Sequence, residues 1–160
     1  MATPLHVYLN DHRAGAMMGV DLARKLRSRF EGTDRAPFFT QLTADVEADL
    51  GTLDTLMASL HVHRNVLKHA GGWAAEKVSR LKLNRLFNGS ERLTVMLEIE
   101  VLSLGVEGKQ AMWRSLHAVA DTTPELTSVP LDDLIARAIA QRAGLERERL
   151  IEACAVLPVP

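Results

Sequence analysis

Five residues of this sequence have types and positions that could hold a metal ion: Asp49, Glu100, Glu107, Glu146 and His12. Each lies in a long segment whose apolar residues recur at alternating three- and four-residue steps, the spacing of one face of an α-helix. Leu42, Val46, Asp49, Leu53, Leu56 and Leu60 form one such stripe, so Asp49 takes a place that a leucine would otherwise fill. Ile135, Ile139, Arg142, Glu146, Leu150, Ala153 and Leu157 form another. Carboxylates turned into an apolar interior repel one another and are costly unless protonated, paired or bound to a cation.

Two chemistries meet that demand. Oxygen-rich ligation with at most one imidazole suits iron, manganese or magnesium better than zinc. Alternatively, Arg142, with Arg114 and Arg149 flanking, can neutralise the acids through bidentate ion pairs. Counting about 1.5 Å of rise per helical residue puts Asp49, Glu100, Glu107 and Glu146 within about 10 Å of height. By the same count His12 and Asp49 differ by roughly 9 Å, too far for one small ion to bind both. A polar network of paired charges is therefore the expectation, with a carboxylate-rich iron or manganese site as the alternative.

The elements that must position these residues are helices. Thr3 followed by Pro4 reads as an N-cap with proline at the first helical position, opening a helix to about Phe30. Its stripe is Leu5, Leu9, His12, Ala16, Gly19, Ala23, Leu26 and Phe30. A second helix runs from about Pro37 to His61, after the breaker-rich stretch at 31–36. A third spans about Glu91 to Asp121; it is apolar on nearly every side and so central, with Leu93, Leu97, Val101, Leu104, Gly108, Met112, Leu116 and Val119 as one stripe that Met96, Ile99, Val106 and Trp113 extend. A fourth begins after Pro130 with Asp132 and Asp133 in its first turn and ends near Leu157. Between the second and third, Gly71-Gly72 and a shorter helical segment from Trp73 to Phe87 form a crossover long enough to travel the height of a bundle. No segment alternates as a strand does. The expectation is one all-α domain covering 1–160, a four-helix bundle with ferritin-like connectivity.

Composition agrees. With 160 residues, 47% of them hydrophobic, the chain can bury a self-sufficient core. Its 19 Lys and Arg against 20 Asp and Glu give no global attraction to nucleic acid or anionic lipid. One cysteine, Cys154, excludes an intrachain disulfide and fits a reducing compartment. The first residues lack the unbroken apolar stretch of an export signal, and the most apolar run, Leu93 to Val106, is broken by Glu98 and Glu100, so a cytoplasmic protein is expected.

The strings Tyr8-Leu9-Asn10-Asp11-His12, Glu76-Lys77 with Arg80-Leu81-Lys82-Leu83, and Leu104-Gly105-Val106-Glu107-Gly108-Lys109 with Trp113 resemble a group of bacterial ferritin-like four-helix-bundle proteins of uncharacterised activity. The resemblance spans most of the chain and implies the bundle fold. Ferritin-like di-iron proteins carry Glu-x-x-His on two helices, and this sequence has no Glu-x-x-His.

Other features point to surfaces. His61, His63 and His69 could meet a metal, but a two-residue spacing puts the first pair on different helix faces. Lys77, Arg80 and Lys82, with Lys68 and Arg85 against the lone acid Glu76, would suit an acidic protein partner; with one nearby aromatic, Trp73, to stack a base, nucleic acid is not expected. Gly15-x-x-x-Gly19 with Ala14 and Ala16 slims the first helix so that another helix can approach, from the same subunit or a second copy. Phosphate loops and nucleophilic triads are missing. The functional expectation is a binding or structural module, homodimeric rather than monomeric and not an enzyme, with redox or stress protection by a bound metal as the rival.

Overall fold

The computed structural model describes residues 3–64 and 90–158, and these form an all-α four-helix bundle. The elements are α1 (Pro4–Arg29), α2 (Ala36–Ser59), α3 (Glu91–His117) and α4 (Leu131–Val156), with two short 3₁₀ turns, Ala120–Thr122 and Pro124–Leu126, between α3 and α4. The expected crossover, its Gly71-Gly72 break and its 73–87 segment lie outside the described residues, as do His69, Trp73, Lys77, Arg80 and Lys82.

Local chemistry explains the helix ends. Thr3 accepts the His6 backbone N–H while the His6 ring accepts the Thr3 N–H, a capping box built with histidine, and Pro4 follows at the first helical position. Gly32, at φ +76°, supplies the left-handed residue of the α1–α2 turn. At the end of α2, His61 takes φ +52°; its N–H and that of Val62 close back onto the Ala58 and Met57 carbonyls. This is a Schellman stop with buried Val62 as its apolar contact, so His61 serves the backbone there. Ser90 caps α3 by accepting the Leu93 N–H.

Ion pairs fix the helix directions. Arg29, at the end of α1, meets Glu91 at the start of α3, and Arg35, at the start of α2, reaches Glu148 and Glu152 near the end of α4. At the other end Tyr8 of α1 donates to Ser115 of α3. The helices therefore run up, down, down and up, and α2 ends at the opposite end of the bundle from the start of α3. Helix α1 packs on α2 and α3, and α4 packs chiefly on α3.

The core comes in two apolar halves. The upper one gathers Val20, Ala23, Leu26, Phe39, Leu42, Ile99, Leu102, Ala138 and Leu145. The lower one gathers Leu9, Leu53, Leu56, Met57, Met112, Trp113, Leu126 and Leu134. Between Val46 and Leu53 on α2, Val106 and Met112 on α3, and Ala138 and Leu145 on α4, the residues that intervene at mid-height are polar: Asp49, Lys109 and Gln141.

Helix α4 presents a different face from the one expected, and α3 departs from it in part. On α4 the buried positions are Leu131, Leu134, Ala138, Gln141, Gly144, Leu145 and Glu152, while Ile139, Leu150 and Leu157 are exposed. Gly144 belongs to this face: it lies so close to Phe38 of α2 that a Cβ there would stand 2.7 Å from the ring's Cζ. On α3 the core face is Val95, Met96, Ile99, Leu102, Val106, Met112, Trp113 and Leu116, so Met112 and Leu116 of the expected stripe and the Met96, Ile99, Val106 and Trp113 that extend it are inside, while Leu104 is exposed. Arg35 seals the upper end, stacked 4.0 Å over Phe30 while paired with Glu148 and Glu152.

Candidate functional site

Asp49 is the one predicted site residue that lies deep in the bundle, its side chain 1% exposed. Its apolar flanks, Val46 and Leu53, hold that face of α2 inward. One carboxylate oxygen accepts from Lys109 Nζ at 2.5 Å and the other from Arg137 Nη1 at 3.0 Å. Lys109 also donates to Gln141 Oε1 at 2.6 Å. Three helices are tied at one level, α2 through Asp49, α3 through Lys109 and α4 through Arg137 and Gln141. Burial pulls the Lys109 ammonium below its usual range; Asp49 pulls the other way, and the Arg137 charge adds to the lowering.

The remaining predicted acids lie elsewhere. Glu107 pairs with Arg142, and Arg149 joins Glu146 at 2.7 Å and Glu100 at 3.5 Å. All three acids are substantially solvated, with side chains 38–52% exposed. The inward placement of Glu146 and Glu107 therefore does not hold, because α4 and α3 turn other faces to the core. The hydrogen bond from Arg149 holds the Glu146 carboxyl below its usual range. Among the described residues no three His, Cys, Asp or Glu side chains converge as a metal site would require. His12 is half-buried, edge-on to the Tyr8 ring at 4.5 Å, and burial lowers its imidazole below its usual range against the pull of Asp11.

The polar layer borders a cavity of about 250 Å³ between α1, α2 and α3. Its walls are unusually slim. Ala14, Gly15, Ala16 and Gly19 line it from α1, and Gly105 and Gly108 line it from α3. A Cβ added at Gly15, Gly105 or Gly108 would meet nothing within 4 Å, and one at Gly19 would only touch Leu102 at 3.9 Å. Leu50, Leu53, Leu102, Val106 and Met112 supply apolar lining. Asp49, Lys109, His12, Asp11 and Trp113 supply the polar atoms. Trp113 is fully buried and its indole N–H meets no acceptor among the described residues. Such a space, mostly apolar with a few convergent polar groups, is the form small-molecule sites take.

Sequence reasoning missed Lys109, Gln141 and Glu98. Arginines were the expected counter-charges to the acids, yet Lys109 falls in phase with Val106 and Met112 on the core side of α3. Glu98 is buried where Glu100 was expected, bound by Lys25 and near Arg29. Compared with family models, with curated proteins and with solved structures, the chain matches none.

Proposed function

We propose that this chain is a non-catalytic binding module whose ligand is a small, largely apolar and uncharged molecule held between α1 and α3. The observation that carries this reading is an apolar groove of about 250 Å³, partly open to solvent, whose α1 and α3 walls are thinned by Gly15, Gly19, Gly105 and Gly108, of which Gly15 and Gly105 are themselves exposed. A volume of about 250 Å³ fits a two-ring aromatic or a chain of comparable bulk. The charges nearby are already compensated, Lys109 by Asp49 and Asp49 further by Arg137, and burial keeps His12 neutral near pH 7.

Calorimetric titration with 2-naphthalenemethanol tests this. At typical ligand efficiencies it should bind with about 4–6 kcal/mol, a dissociation constant on the order of 0.1 mM. Gly15→Leu, which projects a side chain into the open space, should abolish the heat while leaving the helical circular dichroism intact. Absence of binding to the parent protein would sink the reading.

The same proposal includes ferritin-like connectivity, a cytosolic location and a homodimer. The up-down-down-up course supports the first. Location rests on the single cysteine together with the finding that no helix among the described residues is long and apolar enough to cross a membrane. Exposed Ile139, Leu150, Ile151 and Leu157 on α4 support a dimer, which sedimentation should detect and Leu150→Glu should weaken. The alternative, iron or manganese held for redox or stress protection, draws less support because each candidate carboxylate already has a cationic partner. Stoichiometric metal in the purified protein, lost in Glu107→Ala, would favour it.

A further inference from the structure

Lys109 is placed unlike an ordinary lysine. Lys109 lines an apolar pocket, its side chain is only 12% exposed, and a carboxylate and a carboxamide hold two of its three N–H groups, at 2.5 and 2.6 Å. A second cation, Arg137, sits on the same carboxylate. A desolvated lysine beside another positive charge is the arrangement that makes an amine nucleophilic at neutral pH. From this geometry we infer that Lys109 captures an aldehyde or ketone in the cavity as a reversible iminium, with Asp49 as its fixed counter-ion.

The step balances without any further reactant. The ammonium hands one proton to Asp49, and the neutral amine attacks the carbonyl carbon. A C–N bond forms and the carbonyl π pair moves to oxygen, which takes the proton back to give a carbinolamine. Asp49 then takes a second proton from the carbinolamine nitrogen and passes it to the hydroxyl, which leaves as water while the freed nitrogen lone pair closes the double bond, giving an iminium. In sum, one ammonium and one carbonyl become one iminium and one water. Nitrogen carries a single positive charge before and after, so the buried carboxylate never loses its partner. Burial pulling the Lys109 ammonium below its ordinary range enlarges the fraction of free amine.

This inference rests on the cavity-binding reading, and the two can fail separately. The experiment treats the purified protein with limiting 2-naphthaldehyde and sodium cyanoborohydride, which reduces iminium in preference to aldehyde, and maps the naphthylmethyl label by peptide mass spectrometry. The chain has five lysines, Lys25, Lys68, Lys77, Lys82 and Lys109, so the four others act as internal controls. The expected result is at least ~10-fold more label on Lys109 than on the mean of the others, a preference worth about 1.4 kcal/mol in the competing rates. Lys109→Arg, which keeps a cation for Asp49, should lose that label yet still bind 2-naphthalenemethanol, and Gly15→Leu should lose both. Label spread evenly over the lysines, with the alcohol still bound, would overturn the inference and leave the binding reading standing. Label on Lys109 that persists in Gly15→Leu would place the reaction outside the cavity and overturn it equally. Failure of the alcohol to bind would remove both.

Discussion

Replacing Asp49 with leucine tests whether the mid-height polar layer is a closed unit. By shape leucine continues the stripe from Val46 to Leu53, so packing alone predicts little loss. Electrostatics predicts otherwise. Asp49 accepts two charge-assisted hydrogen bonds, from Lys109 at 2.5 Å and Arg137 at 3.0 Å, each worth about 1.5–3 kcal/mol. Arg137 is 33% exposed and can turn to water, so its share falls to the low end of that range. Lys109 is 12% exposed and would be left charged with only Gln141 beside it. The expected loss is about 3–5 kcal/mol, the range for breaking a buried pair from one side, and a large part of a typical domain's ~5–15 kcal/mol. Urea unfolding followed by circular dichroism at 222 nm measures it. Asp49→Leu combined with Lys109→Met removes both buried charges and should recover at least half of the loss. A single variant that costs less than about 1 kcal/mol, or a double variant as unstable as the sum of the singles, would refute the reasoning.

Three further outcomes follow from other parts of the molecule. Gly144→Ala should destabilise by about 1–2 kcal/mol despite the roughly 1 kcal/mol that alanine gains in helix propensity, because its Cβ would meet the Phe38 ring; paired with Phe38→Ala, the Gly144→Ala step should turn stabilising, and additive costs in that cycle would contradict the close approach. Arg35→Lys should cost about 1–3 kcal/mol in urea unfolding, since a lysine cannot serve Glu148, Glu152 and the Phe30 face together; an unchanged midpoint would refute the clamp. His12 titrates below its ordinary value of 6.5 because burial disfavours its charge, so the unfolded chain binds the proton more readily. Stability should accordingly hold above about pH 6.5 and decline as pH falls from there toward 5, and His12→Gln should flatten that decline; an equal slope in both proteins would count against burial as the cause.

How much of this was legible depended on whether a helix had one apolar face or several. α1 announced its cap and α2 its stripe: Thr3-Pro4 opens α1 as expected, and Asp49 points inward in phase with Val46 and Leu53. α3 and α4 did not, because aliphatic residues line more than one side of each. Either Ile135, Ile139 and Leu150 or Leu134, Ala138 and Leu145 could have faced the core, and the face taken is the one that sets Gly144 against Phe38, a contact between residues more than a hundred positions apart. Glu98 and Glu100 interrupt the same apolar run. The one that goes inside is the one with Lys25 and Arg29 opposite, information that lies on another helix. The glycines of α1 were expected to let another helix approach closely, but a Cβ at Gly15 would meet nothing within 4 Å and one at Gly19 would only touch Leu102 at 3.9 Å, so neither marks a close helix contact among the described residues.

The most direct test of the binding account is a two-dimensional amide spectrum recorded while 2-naphthalenemethanol is added. Glycine amides resolve well, and those of Gly15, Gly19, Gly105 and Gly108 border the cavity, whereas Gly51 and Gly144 do not. The account predicts saturable shifts at the first four with the last two unmoved. Shifts that avoid the four, or that grow without saturating across the whole spectrum, would contradict it.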